Sequence, residues 1–86
     1  MMGEYSKALP LYEKALGIQK TILPSNHPDL GACYNNIGLV YYNMGDYLKA
    51  MSCCAHAVDI LQISYPPSHP LVRQFKNNCE LIKKNL

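Results

Sequence analysis

The 86-residue chain has no tryptophan, only one phenylalanine, and charged residues at just 16% of its positions. Its net charge of +2 is too small to indicate binding to nucleic acid or to an anionic membrane, because both attract clusters of basic residues. No apolar run approaches the roughly 18 residues of a membrane-spanning helix, and the first residues lack the pattern of a secretory leader. The length suffices for one small core. We therefore expect a single soluble, cytoplasmic unit without nucleic-acid or membrane partners.

Motifs for catalysis and cofactor binding are also missing. The sequence contains no phosphate-binding loop, no G-x-S-x-G, no H-E-x-x-H and no pair of carboxylates on one predicted helical face. We therefore predict that the chain is not an enzyme and holds no cofactor.

The cysteines allow two disulfides or, together with His56, a zinc site. Both alternatives are disfavoured, because two of the cysteines are adjacent, without the two-residue gap of common zinc pairs, and no secretory leader accompanies them. We therefore favour reduced thiols and no metal, while a metal protein built on these residues stays an alternative that bound zinc would reveal. The four residues are Cys33, Cys53, Cys54 and Cys79.

An internal repeat organises the chain. When the sequence is shifted by 42 residues, 14 of the 42 aligned pairs from Met2/Met44 to Asn43/Asn85 are identical. The identities fall in ordered clusters, among them His27-Pro28 against His69-Pro70 and Asn35-Asn36 against Asn77-Asn78. Self-similarity at a fixed period is typical of repeat arrays.

Glycine and proline divide each period into two helices. Segments 2–5 and 44–47 each place a glycine at a tight turn and an acidic residue at the start of the following helix. The histidine-proline pairs start the next helix, so we predict turn or capping roles for His27 and His69. Pro10 lies inside the first helix, where we expect a bend or a loosely formed first turn. The predicted helices span 4–22, 28–43, 46–64 and 70–85.

Side chains at spacings of three and four residues predict the packing faces of these helices. In the second helix the stripe contains Tyr34, Ile37, Gly38 and Tyr41, and in the third it contains Ala50, Cys54, Ala57 and Ile60. Small residues let two helix backbones approach closely. The pattern predicts an all-α solenoid of four helices, built from antiparallel helical hairpins.

The ordered set of aromatic, small and glycine positions resembles the tetratricopeptide repeat; it comprises Tyr34, Ile37, Gly38, Tyr41, Gly45, Tyr47, Ala50, Cys54 and Ala57. The period of 42 residues, longer than the usual value of about 34, and the Pro-x-x-His-Pro connection are similar to those of the kinesin light chain subclass. This resemblance implies a right-handed superhelix and a non-catalytic adaptor, which binds extended peptide segments of partner proteins in its concave groove.

We expect residues 1–86 to form one domain, in which 4–22 is the second helix of a truncated repeat, 28–65 a complete repeat and 70–85 a C-terminal cap. The cap is predicted because the packing residues of the full repeat are replaced by Lys76, Cys79, Glu80 and Lys83, which would make this surface polar. Leu86 is then expected to be a genuine C-terminus and Met1 a truncation point or alternative start. The uncovered first helix would allow self-association.

The predicted groove lies on the first helix of each hairpin, on the face opposite the packing stripe. An asparagine amide can both donate to and accept from a peptide backbone, so Asn36 and Asn78, one repeat apart, are the predicted clamp. The alternative is that paired asparagines merely tolerate exposure on a helix. The basic last helix favours acidic peptides or, alternatively, is only a solvated cap. The predicted groove residues are Ala32, Asn35, Asn36, Leu39, Tyr42, Asn43, Arg73, Gln74, Asn77, Asn78 and Leu81, with Lys84 and Asn85 on the same face of the last helix.

Overall fold

The computed structural model describes residues 2–86, with side chains from residue 4 onward, and its secondary structure is entirely helical over this range. Each helix packs against the next one along the chain, so the molecule is a row of consecutive hairpins. The predicted all-α, four-helix array is confirmed. The four helices are α1 (Met2–Ile22), α2 (Pro28–Asn43), α3 (Tyr47–Ser64) and α4 (Pro70–Lys83).

The turn between α2 and α3 has the predicted form. Gly45 has a φ of +85°, a backbone conformation in which a side chain would be strained, and Asp46 caps α3 by accepting a hydrogen bond from the Lys49 amide. The turn predicted at residues 2–5 is not formed, because α1 is already helical from Met2. A reversal of the chain requires a helix on each side, and within residues 2–86 only the later copy of the motif joins two helices.

The two histidines before the prolines are helix caps, as predicted. The Nδ1 atom of His27 accepts a hydrogen bond from the Asp29 amide, and that of His69 accepts one from the Leu71 amide, both at 3.1 Å. In each case a proline occupies the first turn of the helix, where its missing N–H costs nothing. The repeated His-Pro pair therefore has a structural role at both sites.

Pro10 does not interrupt α1, which is helical on both sides of it. The first turn is helical from Met2, eight residues before the proline, so the expected loosely formed first turn is not found, whereas a bend at Pro10 stays a prediction. Proline removes one N–H donor from the helix, which leaves the carbonyl of the preceding turn without its usual partner.

Helix α3 is central to the core. Gly38 of α2 lies so close to it that an added Cβ would be 3.1 Å from the Ala50 carbonyl oxygen and 3.2 Å from the Cys53 Cβ. This contact confirms the predicted role of small residues between α2 and α3. The buried residues of α3 are Ala50, Cys54, Ala57, Val58, Ile60 and Leu61, and those of α4 are Val72, Phe75, Cys79 and Ile82.

Helices α1 and α3 occupy equivalent positions in the two copies of the repeat, but α3 is more deeply buried by neighbouring helices than α1. Ile60 of α3 is 4% exposed, whereas its repeat-mate Ile18 of α1 is 54% exposed, together with Leu11 and Ile22 on the same helix. Helix α3 has neighbours on two sides, α2 and α4, while α1 packs against α2. Self-association through α1 remains a prediction. Across residues 2–86, no helix is both long and apolar enough to cross a membrane.

Candidate interaction surface

Helix α2 exposes one narrow face, because α1, α3 and α4 approach its other sides. The exposed residues recur at helical spacing, and Leu39 between them is half-buried. A shift by 42 residues places the equivalent face on α4, where a half-buried Asn78 corresponds to the exposed Asn36. We call these two faces together the ridge. It consists of Asp29, Ala32, Asn36, Leu39 and Asn43 on α2 and Leu71, Gln74, Asn78, Leu81 and Asn85 at α4.

Asn35 lies in the interior and not on the ridge. It is 6% exposed, and its Oδ1 atom accepts a hydrogen bond of 3.2 Å from the Nδ2 atom of Asn78. The Cys54 thiol approaches the same oxygen at 3.9 Å. Adjacent residues on a helix point about 100° apart, so Asn35 and Asn36 have different surroundings. The prediction that Asn35 lines the groove is therefore corrected: it connects α2 to α4.

The two asparagines of the predicted clamp have different surroundings. Asn36 is exposed and forms no side-chain hydrogen bond with any residue that the structure describes. Asn78 uses one N–H of its amide on Asn35 and keeps its second N–H and its Oδ1 atom for another partner. Asn35 therefore sets the orientation of the Asn78 amide.

The C-terminal end of the ridge is held by two further amides. Asn43 donates to the Leu39 carbonyl at 2.8 Å, and Asn85 donates to the Leu81 carbonyl at 3.1 Å. The Asn85 amide also lies 3.4 Å from the Tyr42 hydroxyl, which places Tyr42 between α2 and α4. These contacts fix the orientation of the Asn43 and Asn85 amides within the chain.

The basic residues of α4 lie on two different surfaces. Arg73 lines a depression of about 320 Å³ together with Pro70, Gln74 and Asn77. Lys76 lines a separate depression between α3 and α4, where Glu80 and Asp59 also lie. Arg73 therefore places positive charge next to the ridge, while Lys76 has carboxylates nearby.

A depression of about 300 Å³ between α1 and α2 adds residues that the sequence did not suggest. It joins Ala32 and Asn36 of the ridge to Tyr12, Ala15 and Gln19 of α1. The Oε1 atom of Gln19 is buried there without a hydrogen-bond partner. The repeat carried a signal for this position, since Gln19 is aligned with Leu61, which is buried. Gln19 therefore places a polar side chain where the second copy of the repeat has a buried leucine.

The residues considered for metal binding are the four cysteines and His56. Among residues 2–86 no cluster of three or more histidine, cysteine or acidic side chains could hold a metal ion. His56 is exposed and stacks on Tyr34, with ring centroids 4.2 Å apart. All four cysteines are free thiols, and Cys54 lies in the core.

Comparison with known families agrees with this architecture. The family model for the tetratricopeptide repeat matches residues 1–63, which include α1, α2 and nearly all of α3. A search of curated proteins gives no significant match. Such repeats are protein-interaction modules and are typically non-catalytic, and no catalytic family is detected in the chain. Because the match covers most of its length, the chain belongs to the tetratricopeptide repeat family.

Proposed function

We propose that the chain binds an extended peptide segment of a partner protein along the ridge, with Asn36 and Asn78 as the backbone contacts. The observation that carries the proposal is the pair of amides at equivalent positions of α2 and α4, Asn36 exposed and Asn78 half-buried, with hydrogen-bonding capacity left on both. An amide donates to a peptide C=O and accepts from a peptide N–H, so it can bind a backbone without reading its side chains.

Pre-organisation supports a binding role for Asn78. Its amide is already held by Asn35, so less side-chain freedom is lost when a peptide binds than for a free side chain. Asn36 has no such support and would be ordered on binding. Leu39 and Leu81, between the amides and the C-terminal end, offer apolar contacts for peptide side chains.

An acidic partner segment is a further part of the proposal. Arg73 lies beside Gln74 and Asn77 at the edge of the ridge and is exposed, so its guanidinium can reach a carboxylate of a peptide that runs along α4. Asp29 at the other edge disfavours an acidic group over α2. The acidic residue of the peptide should therefore lie over α4.

The experiment is a selection of peptides from a displayed random library on the immobilised chain, followed by fluorescence anisotropy with the best peptide. We expect Asn36→Ala and Asn78→Ala each to weaken binding roughly tenfold, the loss expected for about 1.4 kcal/mol. Gln62→Ala removes an exposed amide from α3, away from the ridge, and should leave affinity unchanged.

Two results would contradict the proposed contacts. If all three variants, Asn36→Ala, Asn78→Ala and Gln62→Ala, bind the peptide with equal affinity, then Asn36 and Asn78 do not contact it. The second is unchanged binding by a peptide whose backbone N–H groups are methylated, because such a peptide cannot donate to the amide oxygens. Far-ultraviolet circular dichroism of each variant checks that helicity is retained.

The kinesin light chain subclass and a cytoplasmic location also belong to the proposal. The period of 42 residues and the two His-Pro connections support the subclass. Four free thiols favour a reducing compartment.

A purely structural role is the second candidate, in which α4 terminates the helical array of a larger protein. It is favoured by Glu80, which corresponds in the repeat to Gly38, where α3 lies so close that even an added Cβ would be in tight contact and a long side chain would not fit. A further helix could not pack on α4 in the same way. Fusing the chain after a complete repeat discriminates the two: a cap raises stability without adding peptide binding, whereas a binding module gains affinity as well.

A further inference from the structure

Two buried cysteines from different helices meet in the core. The Sγ atoms of Cys54 on α3 and Cys79 on α4 lie 2.8 Å apart, and the side chains are 1% and 8% exposed. A disulfide bond is about 2.0 Å long, so the two sulfur atoms could be bonded after a shift of about 1 Å. The pair lies beneath the ridge, since the Cys54 thiol is 3.9 Å from the Asn35 oxygen that holds Asn78, but neither thiol is one of the proposed peptide contacts.

The two thiols have unequal environments. The Cys54 thiol is enclosed and lies 3.4 Å from the Phe75 carbonyl oxygen as well as near Cys79. Cys79 lines the depression of about 320 Å³ between α3 and α4, which opens at the surface beside Lys76 and Glu80. A small oxidant can therefore approach Cys79 and not Cys54.

The pKa shifts also distinguish the two thiols and, like the accessibility, favour reaction at Cys79. Burial raises the pKa of both thiols. The hydrogen bond between them raises the pKa of Cys54 further and opposes part of the rise for Cys79, because a Cys54 thiol can donate to a Cys79 thiolate. Cys79 is thus the group that ionises first, although burial keeps the thiolate scarce and the reaction slow.

We propose that a peroxide converts Cys54 and Cys79 into a reversible disulfide that fastens α4 to α3. The Cys79 thiolate attacks one peroxide oxygen, the O–O bond breaks, and hydrogen peroxide is reduced to hydroxide while Cys79 becomes a sulfenic acid. Cys54, after loss of its proton, attacks the Cys79 sulfur; the S–S bond forms, the S–O bond breaks, and hydroxide leaves. With the two protons released, two thiols and one peroxide give one disulfide and two waters.

The remaining cysteines are poorly placed to compete. The Cys33 thiol lies 3.7 Å from the Tyr12 carbonyl oxygen, at the contact between α1 and α2. Cys53 packs against Gly38, on a different side of α3 from its neighbour Cys54. The disulfide between Cys54 and Cys79 is therefore the one that the fold selects. It closes a loop that includes the α3–α4 connection, and this restricts the unfolded chain.

The test uses the full chain carrying Cys33→Ala and Cys53→Ala, so that only the proposed pair remains. After treatment with hydrogen peroxide, we expect a monomer in which both thiols are lost, a cross-linked peptide that contains Cys54 and Cys79, and full recovery of thiols with a reductant. The oxidised form should melt about 10 °C or more above the reduced form. The control adds Cys54→Ala and should show no such rise.

Three outcomes would overturn the proposal: dimers linked through disulfides, accumulation of a sulfinic acid at Cys79, or oxidation that occurs only in urea. Circular dichroism shows whether the double variant is folded. If it is not, the same peptide mapping is applied to the unaltered chain, where a disulfide that includes Cys33 or Cys53 would equally refute the selected pair.

Discussion

Replacing Gly38 by alanine measures how closely α2 and α3 must pack. An added Cβ would lie 3.1 Å from the Ala50 carbonyl oxygen, 3.2 Å from the Cys53 Cβ and 3.4 Å from the Cys54 amide nitrogen. Two of these three atoms are backbone atoms, so no side-chain rotation relieves the contact. The two helices must instead move apart by a few tenths of an ångström.

Two opposing effects set the magnitude. Alanine in a helix interior is favoured over glycine by about 1 kcal/mol, while overpacking in a core costs about 1–3 kcal/mol. We therefore expect Gly38→Ala to lower the free energy of unfolding by up to about 2 kcal/mol. Gly17 is the matched control, because an added Cβ there meets nothing within 4 Å. Gly17→Ala should raise stability by about 0.5–1 kcal/mol.

The assay is urea unfolding followed by circular dichroism at a helix wavelength, with the slope of the transition compared between variants. The difference between the two alanine variants isolates the cost of the close contact. If Gly38→Ala proves as stable as Gly17→Ala, then α2 and α3 tolerate a wider separation and the packing argument is wrong. The same result would weaken the reasoning that Glu80 prevents a further helix from packing on α4.

Two further predictions concern the interior. Asn35→Ala should destabilise the chain by about 1–3 kcal/mol, since it removes the buried acceptor of Asn78. The control is Asn77→Ala at the equivalent, exposed position of the repeat, which should change stability by less than about 0.5 kcal/mol. Equal effects of the two variants in urea unfolding would contradict the assigned roles. Stability should also fall as the pH rises from about 8 to 10 under reducing conditions. Burial raises the pKa of Cys54 above its ordinary value of 9.0, so the folded chain retains a proton that the unfolded chain releases. The contribution of Cys54 to the free energy of unfolding is therefore fully present well below pH 9.0 and decreases above it. At pH 10 the free energy of unfolding should be lower by about 1.4 kcal/mol because of this residue. A Cys54→Ala variant with an undiminished pH dependence would refute this assignment.

Local features could be predicted from the sequence because the residues that cause them are neighbours in the chain. The structure confirms the glycine turn at Gly45 and the histidine caps of α2 and α4, and helix α2 has the predicted bounds. The 42-residue repeat indicated two helices in each period, and the family match agrees with that inference. The same local reasoning failed at residues 2–5, which are part of helix α1 and do not form a turn.

The sequence by itself determined the helices, their caps and the family, since each depends on short-range spacing and on chemistry within one turn. Only the tertiary structure decided which asparagine of the first pair faces outward: Asn35 turns inward because α4 lies beside it, while Asn36, one residue later, remains free. Likewise, the close approach of Cys54 and Cys79, 25 positions apart in the chain, follows from the packing of α3 on α4. Contacts of this kind depend on where a second helix lies, and no spacing within one helix specifies that position.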